Sequence, residues 1–315
     1  VRSGDRVGLY AFDERPGTFT EPRGGVAAFR SMLAVSGGPD STALMWLAAR
    51  WHRALRLRDK PALAKHPLFI EGAFEVQDEG SQLVAMLVDA QPGQRVIDFC
   101  AGAGGKTLAL AAAMQNKGRI LARDNSEKRL TQIKERIKRA GTDNIQLHVI
   151  EGEHDQFIKR HKASADRVLV DAPCSGTGTW RRNPDLKWRF GLEDLQEIKA
   201  IQQRILKQAA RLVKPGGRLV YVTCSIFPDE NIWAVKQFLG GNPTFGVEAP
   251  DKLWNKHLLT REGDTPVLAL SPHKDGTDGF FAAILKRNAS APVAEANGEE
   301  KEGIHGKTDN EADQA

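Results

Sequence analysis

Two cysteines, each directly after a short strand-like run, are the strongest candidates for chemistry in this 315-residue sequence. Cys174 lies in the stretch Asp171–Gly178, which follows the run Asp166–Val170, and Cys224 follows the run Arg218–Thr223. In an open α/β sheet the ligand crevice lies outside the carboxyl ends of the strands. Because such strands are usually neighbours, we expect both thiols to face one crevice.

These two thiols allow three interpretations. A disulfide is disfavoured because three Cys in a chain of this length indicate a reducing compartment, and we expect a cytoplasmic protein. A metal site is disfavoured because no His or third Cys repeats with metal-ligand spacing, and we expect no metal. Covalent catalysis remains, and a free thiol with a pKa of about 8.5 then needs nearby cations or hydrogen-bond donors.

A glycine-rich turn between a predicted strand and a predicted helix is the candidate cofactor site. A phosphate-binding Walker loop needs Gly where Cys100 stands, and the dinucleotide pattern needs Gly where Thr107 stands. An adenosine cofactor without a pyrophosphate remains, with Asp124 at the end of the next strand to accept ribose hydroxyls. S-adenosylmethionine fits, because its sulfonium and amino groups suit the acids Asp98 and Asp171. The predicted turn residues are Cys100, Ala101, Gly102, Ala103, Gly104, Gly105 and Lys106, of which we interpret Cys100 as mainly structural.

A methyl donor beside a nucleophilic thiol narrows the chemistry. Carbon 5 of a pyrimidine becomes nucleophilic only after a group has added at carbon 6. A Cys that adds there creates an enamine, which attacks the sulfonium methyl group. A second base must then remove the hydrogen at carbon 5 so that the enzyme is released.

Strands that alternate with helices position these residues and predict an α/β, doubly wound, Rossmann-like sheet. We divide the chain into an atypical N-terminal segment (1–60), an extended lead-in with a helix (61–90), a catalytic domain (91–287) and a disordered acidic tail (288–315). The predicted elements are helix Ser81–Asp89, strand Arg95–Phe99, a helix ending near Gly118, strand Arg119–Arg123, a helix capped by Ser126 and ending at Gly141, strands Ile145–Ile150 and Arg167–Val170, a helix carrying Leu195 to Leu212 and ended by Lys214–Gly217, and strands Arg218–Thr223, Val267–Leu270 and Phe280–Leu285.

The N-terminal segment carries a second loop of phosphate-binding size. Met32–Val35 is predicted as a strand, Ser36–Ser41 as the loop and Thr42–Leu55 as a helix, and Leu33–Ser41 resembles the pyrophosphate loop of the tRNA-lysidine synthetase family. The resemblance stops near Leu55, and a loop without its sheet is poorly held. We therefore interpret this segment as a fusion or a gene-model artefact, with an ATP-dependent lysidine synthetase fragment as the alternative.

Charge and aromatic residues favour a nucleic-acid partner. Residues 288–315 contain seven acids and two Lys, a net −5, which leaves +10 for residues 1–287 of a chain with net charge +5. Solubility alone would also explain this balance. Shortly after Cys174, basic and aromatic residues are interleaved. The basic side chains could neutralise phosphates and the aromatic rings could stack on an unpaired nucleobase. These residues are Trp180, Arg181, Arg182, Lys187, Trp188 and Arg189. No stretch approaches the ~20 apolar residues of a membrane span, and no signal peptide is visible.

Six ordered motifs make Pro61–Arg287 resemble the catalytic domain of the RsmB/Sun family of RNA cytosine-C5 methyltransferases. They are Glu75–Gln82, Asp98–Thr107, Asp171–Gly178, Arg181–Asp185, Thr223–Ser225 with Pro228–Asn231, and Asp278–Phe281. The family's turn usually has Ala-Pro where this chain has Gly102 and Ala103, a difference that would loosen the turn.

The resemblance implies a role for each candidate. Cys224 would be the nucleophile and Cys174 the thiol that assists product release, while Asp171 would hold the target base and Lys106 would support the site. Asp98 to Lys106 and Asp124 would line the S-adenosylmethionine pocket, with Glu153 near the adenine. The expected substrate is RNA, with ribosomal RNA favoured over tRNA, and the expected state is a monomer. Because the family's N-terminal RNA-binding region is replaced by Val1–Leu55, a catalytically inactive RNA-binding relic is the other alternative.

Overall fold

The structure is a computed structural model that describes residues 31–33, 43–46, 54–57, 65, 67–72, 74–150, 156–249, 260–262 and 265–290. The helices of these residues are α1 (Pro67–Ile70), α2 (Glu79–Leu87), α3 (Gly105–Ala113), α4 (Glu127–Ala140), α5 (Gln156–Arg160), α6 (Leu186–Arg189), α7 (Leu192–Ala210), α8 (Ile232–Gly240) and α9 (Pro272–Asp275). The strands are β1 (Ser31–Leu33), β2 (Ala43–Trp46), β3 (Ala54–Leu57), β4 (Phe74–Val76), β5 (Arg95–Asp98), β6 (Arg119–Asp124), β7 (Ile145–Val149), β8 (Ala165–Asp171), β9 (Val213–Thr223), β10 (Phe245–Glu248), β11 (Thr260–Glu262), β12 (Thr265–Leu270) and β13 (Phe280–Arg287).

The main sheet has the strand order β11-β12-β13-β9-β8-β5-β6-β7, and β10 pairs with the last residues of β13. Strands β5 to β9 run parallel, whereas β13 runs antiparallel to β9. The chain order reverses between β5 and β8, since β6 and β7 lie on one side of β5, and β8 and β9 on the other. This reversal is the topological switch point at which doubly wound sheets bind their ligands.

Alternating side chains of the central strands bury both faces of the sheet. Val96 of β5 packs with Leu110 and Met114 of the α3 region on one face. Ile97, the next residue, packs on the opposite face with Leu206 of α7. Both faces of a parallel sheet must be covered because its strands are apolar on both sides. The predicted doubly wound α/β class is therefore confirmed.

Local signals explain where α4 begins and ends. Ser126 caps the helix, and its side chain accepts a hydrogen bond from the backbone N–H of Arg129. Gly141 ends it in the left-handed conformation, with φ of 56°. Both limits agree with the sequence prediction.

Strand β9 differs from its prediction because it begins before Arg218. Residue Ala165 of β8 pairs with Val213, but Arg167 pairs with Arg218, so Lys214–Gly217 form a bulge inside the strand rather than a separating turn. Gly216 there has φ of 76°, which Gly adopts without steric cost. The strand still ends at Thr223, so the position of Cys224 is unaffected.

The helix predicted over Thr42–Leu55 is wrong, because β2 and the start of β3 occupy part of this range. Strand β2 pairs with both β1 and β3, and β1 pairs in parallel with β4. A sheet ladder overrides a helical pattern when it satisfies the same backbone groups. Pro61–Gly80, predicted as a loop or extended segment, contains the strand β4 and also the short helix α1, which was not predicted. The loop Ser36–Ser41 and the tail from residue 291 lie outside the described residues.

Among the described residues, no helix combines the length and apolar character needed to cross a membrane. In the same part of the chain, no three His, Cys, Asp or Glu side chains are grouped as ligands for a metal ion.

Candidate active site

The carboxyl ends of three adjacent strands form the candidate active site. Asp98 ends β5, Asp171 ends β8 and Cys224 follows β9, and Asp171 pairs with Val222 in the sheet register. The expectation that the two thiol-bearing strands are neighbours is confirmed. The site lies at the switch point of the sheet, where a crevice opens because the connections leave in opposite directions.

Backbone hydrogen bonds hold the glycine-rich turn between β5 and α3. Ala101 N donates to the carbonyl of Arg123 over 2.7 Å, and Gly102 N donates to Asp124 Oδ2 over 2.8 Å. Gly104 has φ of 81°, and a Cβ there would come within 2.8 Å of the side chain of Ile133. This glycine therefore lets the turn lie directly on α4.

Two cavities meet at this turn. The larger measures about 490 Å³ and is lined by Asp124, Asn125, Arg129 and residues of α7. The smaller measures about 270 Å³ and contains Asp98 and Lys106. Most predicted cofactor residues line the smaller cavity: Asp98, Cys100, Ala101, Gly102, Ala103, Gly105, Lys106 and Asp171. Cys100, Gly102 and Asp171 also line the larger one, so the two spaces adjoin. Glu153 lies outside the described residues.

Asp98 is a buried carboxylate with one oxygen free to bind a ligand. Thr107 Oγ1 donates to Asp98 Oδ2 over 2.7 Å, whereas Oδ1 has no hydrogen-bond partner. Burial raises the pKa of Asp98 to about 7, against the hydrogen bond from Thr107, which lowers it. A buried acceptor without a partner is costly, and a cationic ligand would satisfy it. The amino group of S-adenosylmethionine fits this requirement.

Asp124 connects the turn to the start of α4. Its Oδ2 accepts from Gly102 N and its Oδ1 accepts from Ser126 N, the latter over 2.8 Å. Each carboxylate oxygen has a second lone pair. Asp124 at the wall of the larger cavity therefore keeps the capacity to accept a hydroxyl, as predicted for the ribose.

Lys106 connects the cofactor turn to the thiol site. Its Nζ lies 2.7 Å from Asp171 Oδ2 and 5.4 Å from the centroid of the Phe280 ring. Burial lowers the pKa of Lys106, but the ion pair with Asp171 outweighs burial and the net pKa is raised. Lys106 is therefore a permanent cation at the base of the site.

Cys174 and Cys224 are in direct contact, with 3.3 Å between their Sγ atoms, and both are partly exposed free thiols. The hydrogen bond from Cys174 lowers the pKa of Cys224, and Lys106 adds to this against burial and Asp171. The pKa of Cys174 is raised well above its usual value by that same hydrogen bond and by burial. The contact therefore favours the thiolate form of Cys224 over that of Cys174.

The loops that carry the two thiols are locked together. Gly178 N donates to the carbonyl of Cys224 over 2.9 Å, and Gly279 N donates to the carbonyl of Gly178 over 2.9 Å. A Cβ on Gly178 would come within 2.3 Å of the Gly279 carbonyl oxygen. Three loops thus approach so closely that only glycine fits at this crossing.

Glu230 is a buried residue of the site to which the sequence analysis gave no role of its own. Its carboxylate accepts from Ser175 N over 2.8 Å, from Ser175 Oγ and Ser225 Oγ over 2.5 Å each, and from Gln202 Nε2 over 3.0 Å. The signal in the sequence was an acid six residues after Cys224, and its burial could not be read from the pattern.

The predicted RNA-binding residues divide into two groups. Arg182 is bound to the fully buried Asp278, and Arg181 lies 3.7 Å from the same carboxylate. Lys187 lies in α6 with its Nζ 5.3 Å from the ring of Trp188, and 84% of Trp188 is exposed. The structure therefore presents Lys187 and Trp188 outwards, while Arg182 has a structural partner.

The strand order, the glycine-rich turn after the first strand of the switch point and the acids at adjacent strand ends define the class of S-adenosylmethionine-dependent methyltransferases. The chain belongs to the 16S rRNA methyltransferase RsmB/F family, whose profile matches residues 85–286. The predicted family, fold and cofactor class are thereby confirmed.

Individual relatives agree with this family assignment. The chain is 38% identical over 237 residues to the probable ribosomal RNA small subunit methyltransferase B of Synechocystis, a match that covers 75% of this chain and 52% of the relative. It is 35% identical to the crystal structure of PH0851 at a TM-score of 0.69, covering 76% of this chain and 53% of that one. A methyltransferase homolog protein from Pyrococcus horikoshii is 27% identical at a TM-score of 0.63, with 75% of each chain covered. The chain spans about half the length of the curated relatives it matches.

Proposed function

We propose that this protein transfers a methyl group from S-adenosylmethionine to carbon 5 of a cytosine in RNA, with Cys224 as the covalent nucleophile. The observation that carries the proposal is the 3.3 Å contact between Cys224 and Cys174, beside the ion pair of Lys106 and Asp171. Because the relatives are named for ribosomal RNA of the small subunit, that RNA is the proposed substrate.

The cofactor supplies an electrophilic methyl group on its sulfonium sulfur. Asp98 Oδ1 would accept from the amino group, since this oxygen is buried and has no partner. Asp124 would accept from the ribose in the larger cavity. Gly102 lines both cavities, and the space into which a Cβ would point is open, so a ligand there could approach the backbone. The chain thus holds the donor between Asp98 and Asp124, with Asp171 lining both cavities.

Cys224 begins the reaction on the base. Its thiolate adds to carbon 6 of the cytosine, and Asp171 holds the base through the exocyclic amino group while Lys106 fixes the Asp171 carboxylate. The addition makes carbon 5 an enamine carbon that can take the methyl group from the sulfonium, with S-adenosylhomocysteine as the leaving group. The contact with Cys174 lowers the pKa of Cys224 and so favours the thiolate that adds to the base.

Cys174 completes the reaction once Cys224 is bound to the base. The hydrogen bond to Cys224 and the negative charge of Cys224 both raise the pKa of Cys174. Both influences are lost when the Cys224 sulfur becomes a neutral thioether, so the pKa of Cys174 falls and favours transfer of its proton to solvent. The Cys174 thiolate then takes the hydrogen from carbon 5, and the C6–S bond breaks to return Cys224 as a thiolate.

Methyl transfer with labelled S-adenosylmethionine and small-subunit ribosomal RNA tests this assignment. We expect Cys224→Ala to transfer no label and Cys174→Ala to accumulate a covalent protein–RNA adduct that survives denaturing electrophoresis. Cys100→Ala is the matched control, because it removes a thiol of the cofactor turn and is expected to yield no adduct.

Three results would separate the alternatives. Label transfer by Cys224→Ala would overturn the role of Cys224. RNA binding without any transfer by the wild-type protein would identify an inactive relic. Transfer of label to tRNA with none to ribosomal RNA would change the proposed substrate to tRNA and would leave the proposed reaction unchanged.

A further inference from the structure

Glu230 joins the two loops that carry the thiols. Ser175, which follows Cys174, donates to Glu230 through both its backbone N–H and its hydroxyl, and Ser225, which follows Cys224, donates through its hydroxyl. Ser175 Oγ and Ser225 Oγ also lie 3.1 Å apart. A single carboxylate therefore fixes the residue next to each thiol.

Helix α7 contributes a further hydrogen bond to the Glu230 carboxylate. Gln202 is fully buried and donates through Nε2 to Glu230 Oε1 over 3.0 Å and to the Pro173 carbonyl over 2.9 Å. The hydroxyl of Tyr221 donates to the Glu230 backbone carbonyl over 2.7 Å. Glu230 is thereby fixed at both its side chain and its backbone.

Among the described residues, the groups that donate hydrogen bonds to the Glu230 carboxylate are all neutral. Burial of a charge without a cation costs stability, and a neutral side chain of the same shape would fill the position at lower cost. A fold that needed only packing here would gain nothing from the charge. What the carboxylate adds to packing is acceptor capacity, because it binds the Ser175 and Ser225 donors of both thiol loops at once.

We infer that Glu230 is a positioning residue that sets the contact between Cys174 and Cys224 and keeps Cys224 as the more reactive thiol. This role rests on the proposed function of the two cysteines. Glu230 does so by holding Ser175 and Ser225 on one carboxylate and by placing its negative charge behind Cys174.

The electrostatics of the pair agree with this geometry. The hydrogen bond from Cys174 is the largest influence that lowers the pKa of Cys224. The pKa of Cys174 is raised first by its hydrogen bond to Cys224 and by burial, and the charge of Glu230 adds to the increase. Loss of Glu230 would loosen the contact between the thiols and remove this charge. The pKa values of Cys174 and Cys224, and with them the reactivities of the two thiols, would then become more similar.

Alkylation by iodoacetamide without RNA or cofactor tests the inference. The rates of modification of Cys224 and Cys174 are measured separately by peptide mass spectrometry. We expect Glu230→Gln to reduce the ratio of these rates about tenfold, the change that corresponds to one unit of pKa difference. The control is Asp229→Asn, since Asp229 is the neighbouring carboxylate but pairs with Lys199 at the surface. Its ratio should match that of the wild type.

A second variant keeps the test decisive if Glu230→Gln fails to fold. Ser225→Ala removes one donor to Glu230 and leaves the charge, and we expect roughly a threefold decrease in the ratio, since one of several hydrogen bonds is lost. An unchanged ratio in a folded Glu230→Gln or Ser225→Ala protein would overturn the inference. Because alkylation requires neither methyl transfer nor RNA, failure of the proposed function would appear separately, as absence of transfer by the wild-type protein.

Discussion

Lys106 Nζ donates to Asp171 Oδ2 over 2.7 Å although the two residues are 65 positions apart in the chain. Lys106 is the second residue of α3, directly after the glycine-rich turn, and Asp171 ends the strand that leads to Cys174. Lys106 lowers the pKa of Cys224 and Asp171 raises it, so the ion pair balances the charge near the nucleophile. The pair thus couples the cofactor turn to the thiol site.

Replacement of Lys106 by Met is expected to shift the pH profile of methyl transfer to higher pH. The negative charge of Asp171 would then act on Cys224 without compensation and raise its pKa. A smaller fraction of Cys224 would be thiolate at neutral pH, and transfer there should fall roughly tenfold. Single-turnover rates measured across a pH series check this expectation.

Lys286→Met is the matched control for Lys106→Met. Lys286 pairs with Glu248 at the exposed end of β13 and should leave the profile unchanged. Lys106→Arg keeps the charge and should lose less activity than Lys106→Met. Equal pH midpoints for wild type and Lys106→Met would contradict the proposed effect of the cation.

Binding of S-adenosylmethionine should weaken as pH falls through about 7. Burial raises the pKa of Asp98 to about 7, so the carboxyl is protonated below this value and ionised above it. A cationic ligand binds the ionised form, and affinity should decrease by up to about tenfold per pH unit on the acid side. Calorimetric titration across this range provides the dissociation constants.

Two variants test whether protonation of Asp98 causes the pH dependence of S-adenosylmethionine binding. Asp98→Asn should bind weakly with little pH dependence. Thr107→Val removes the hydrogen bond that lowers the pKa of Asp98, so its midpoint should move to higher pH. A wild-type affinity that stays constant from acid to neutral pH would exclude Asp98 as the residue that binds the cation.

The sequence predicted the sheet and the strand ends because both depend on local patterns. Apolar runs identified β5, β6 and β8, and Ser126 and Gly141 marked the ends of α4. The bulge at Lys214–Gly217 was not predictable, because Pro and Gly normally signal a turn and only the pairing with β8 holds these residues in the strand. Patterns within one segment do not contain the pairing partner.

The sequence predicted the candidate site only where the site depends on the ends of strands. The positions of Asp98, Asp171 and the two thiols followed from adjacent strand ends. The ion pair of Arg182 with Asp278 joins residues that are 96 positions apart. The sequence around Arg182 does not indicate that its partner is a buried carboxylate. Long-range polar partners therefore account for most of what the sequence left open.

Mild oxidation should join Cys174 and Cys224 in a disulfide. Their Sγ atoms lie 3.3 Å apart, and the Cys224 thiolate attacks an activated partner sulfur readily. Treatment with diamide, which takes up the two electrons and two protons of the thiols, should abolish methyl transfer and leave one free thiol, that of Cys100. Thiol titration and peptide mapping measure both effects.

The single-cysteine variants are the control for this oxidation. Cys174→Ala and Cys224→Ala should each keep two free thiols under the same treatment, because Cys100 faces the cofactor turn instead. Reduction with dithiothreitol should restore activity to the wild-type protein. A disulfide that includes Cys100 would contradict the described contact.

Trp188 and Arg182 should affect RNA binding in different ways, although both belong to the same basic and aromatic segment. Trp188 is 84% exposed beside Lys187, so Trp188→Ala should weaken the binding of single-stranded RNA by about 1–3 kcal/mol through lost stacking and leave the melting temperature unchanged. Arg182→Ala would leave the fully buried Asp278 without its closest cation and should lower the melting temperature. Filter binding and thermal denaturation distinguish the two effects. An Arg182→Ala protein that melts like the wild type and binds RNA weakly would show that Arg182 contacts RNA despite its buried partner.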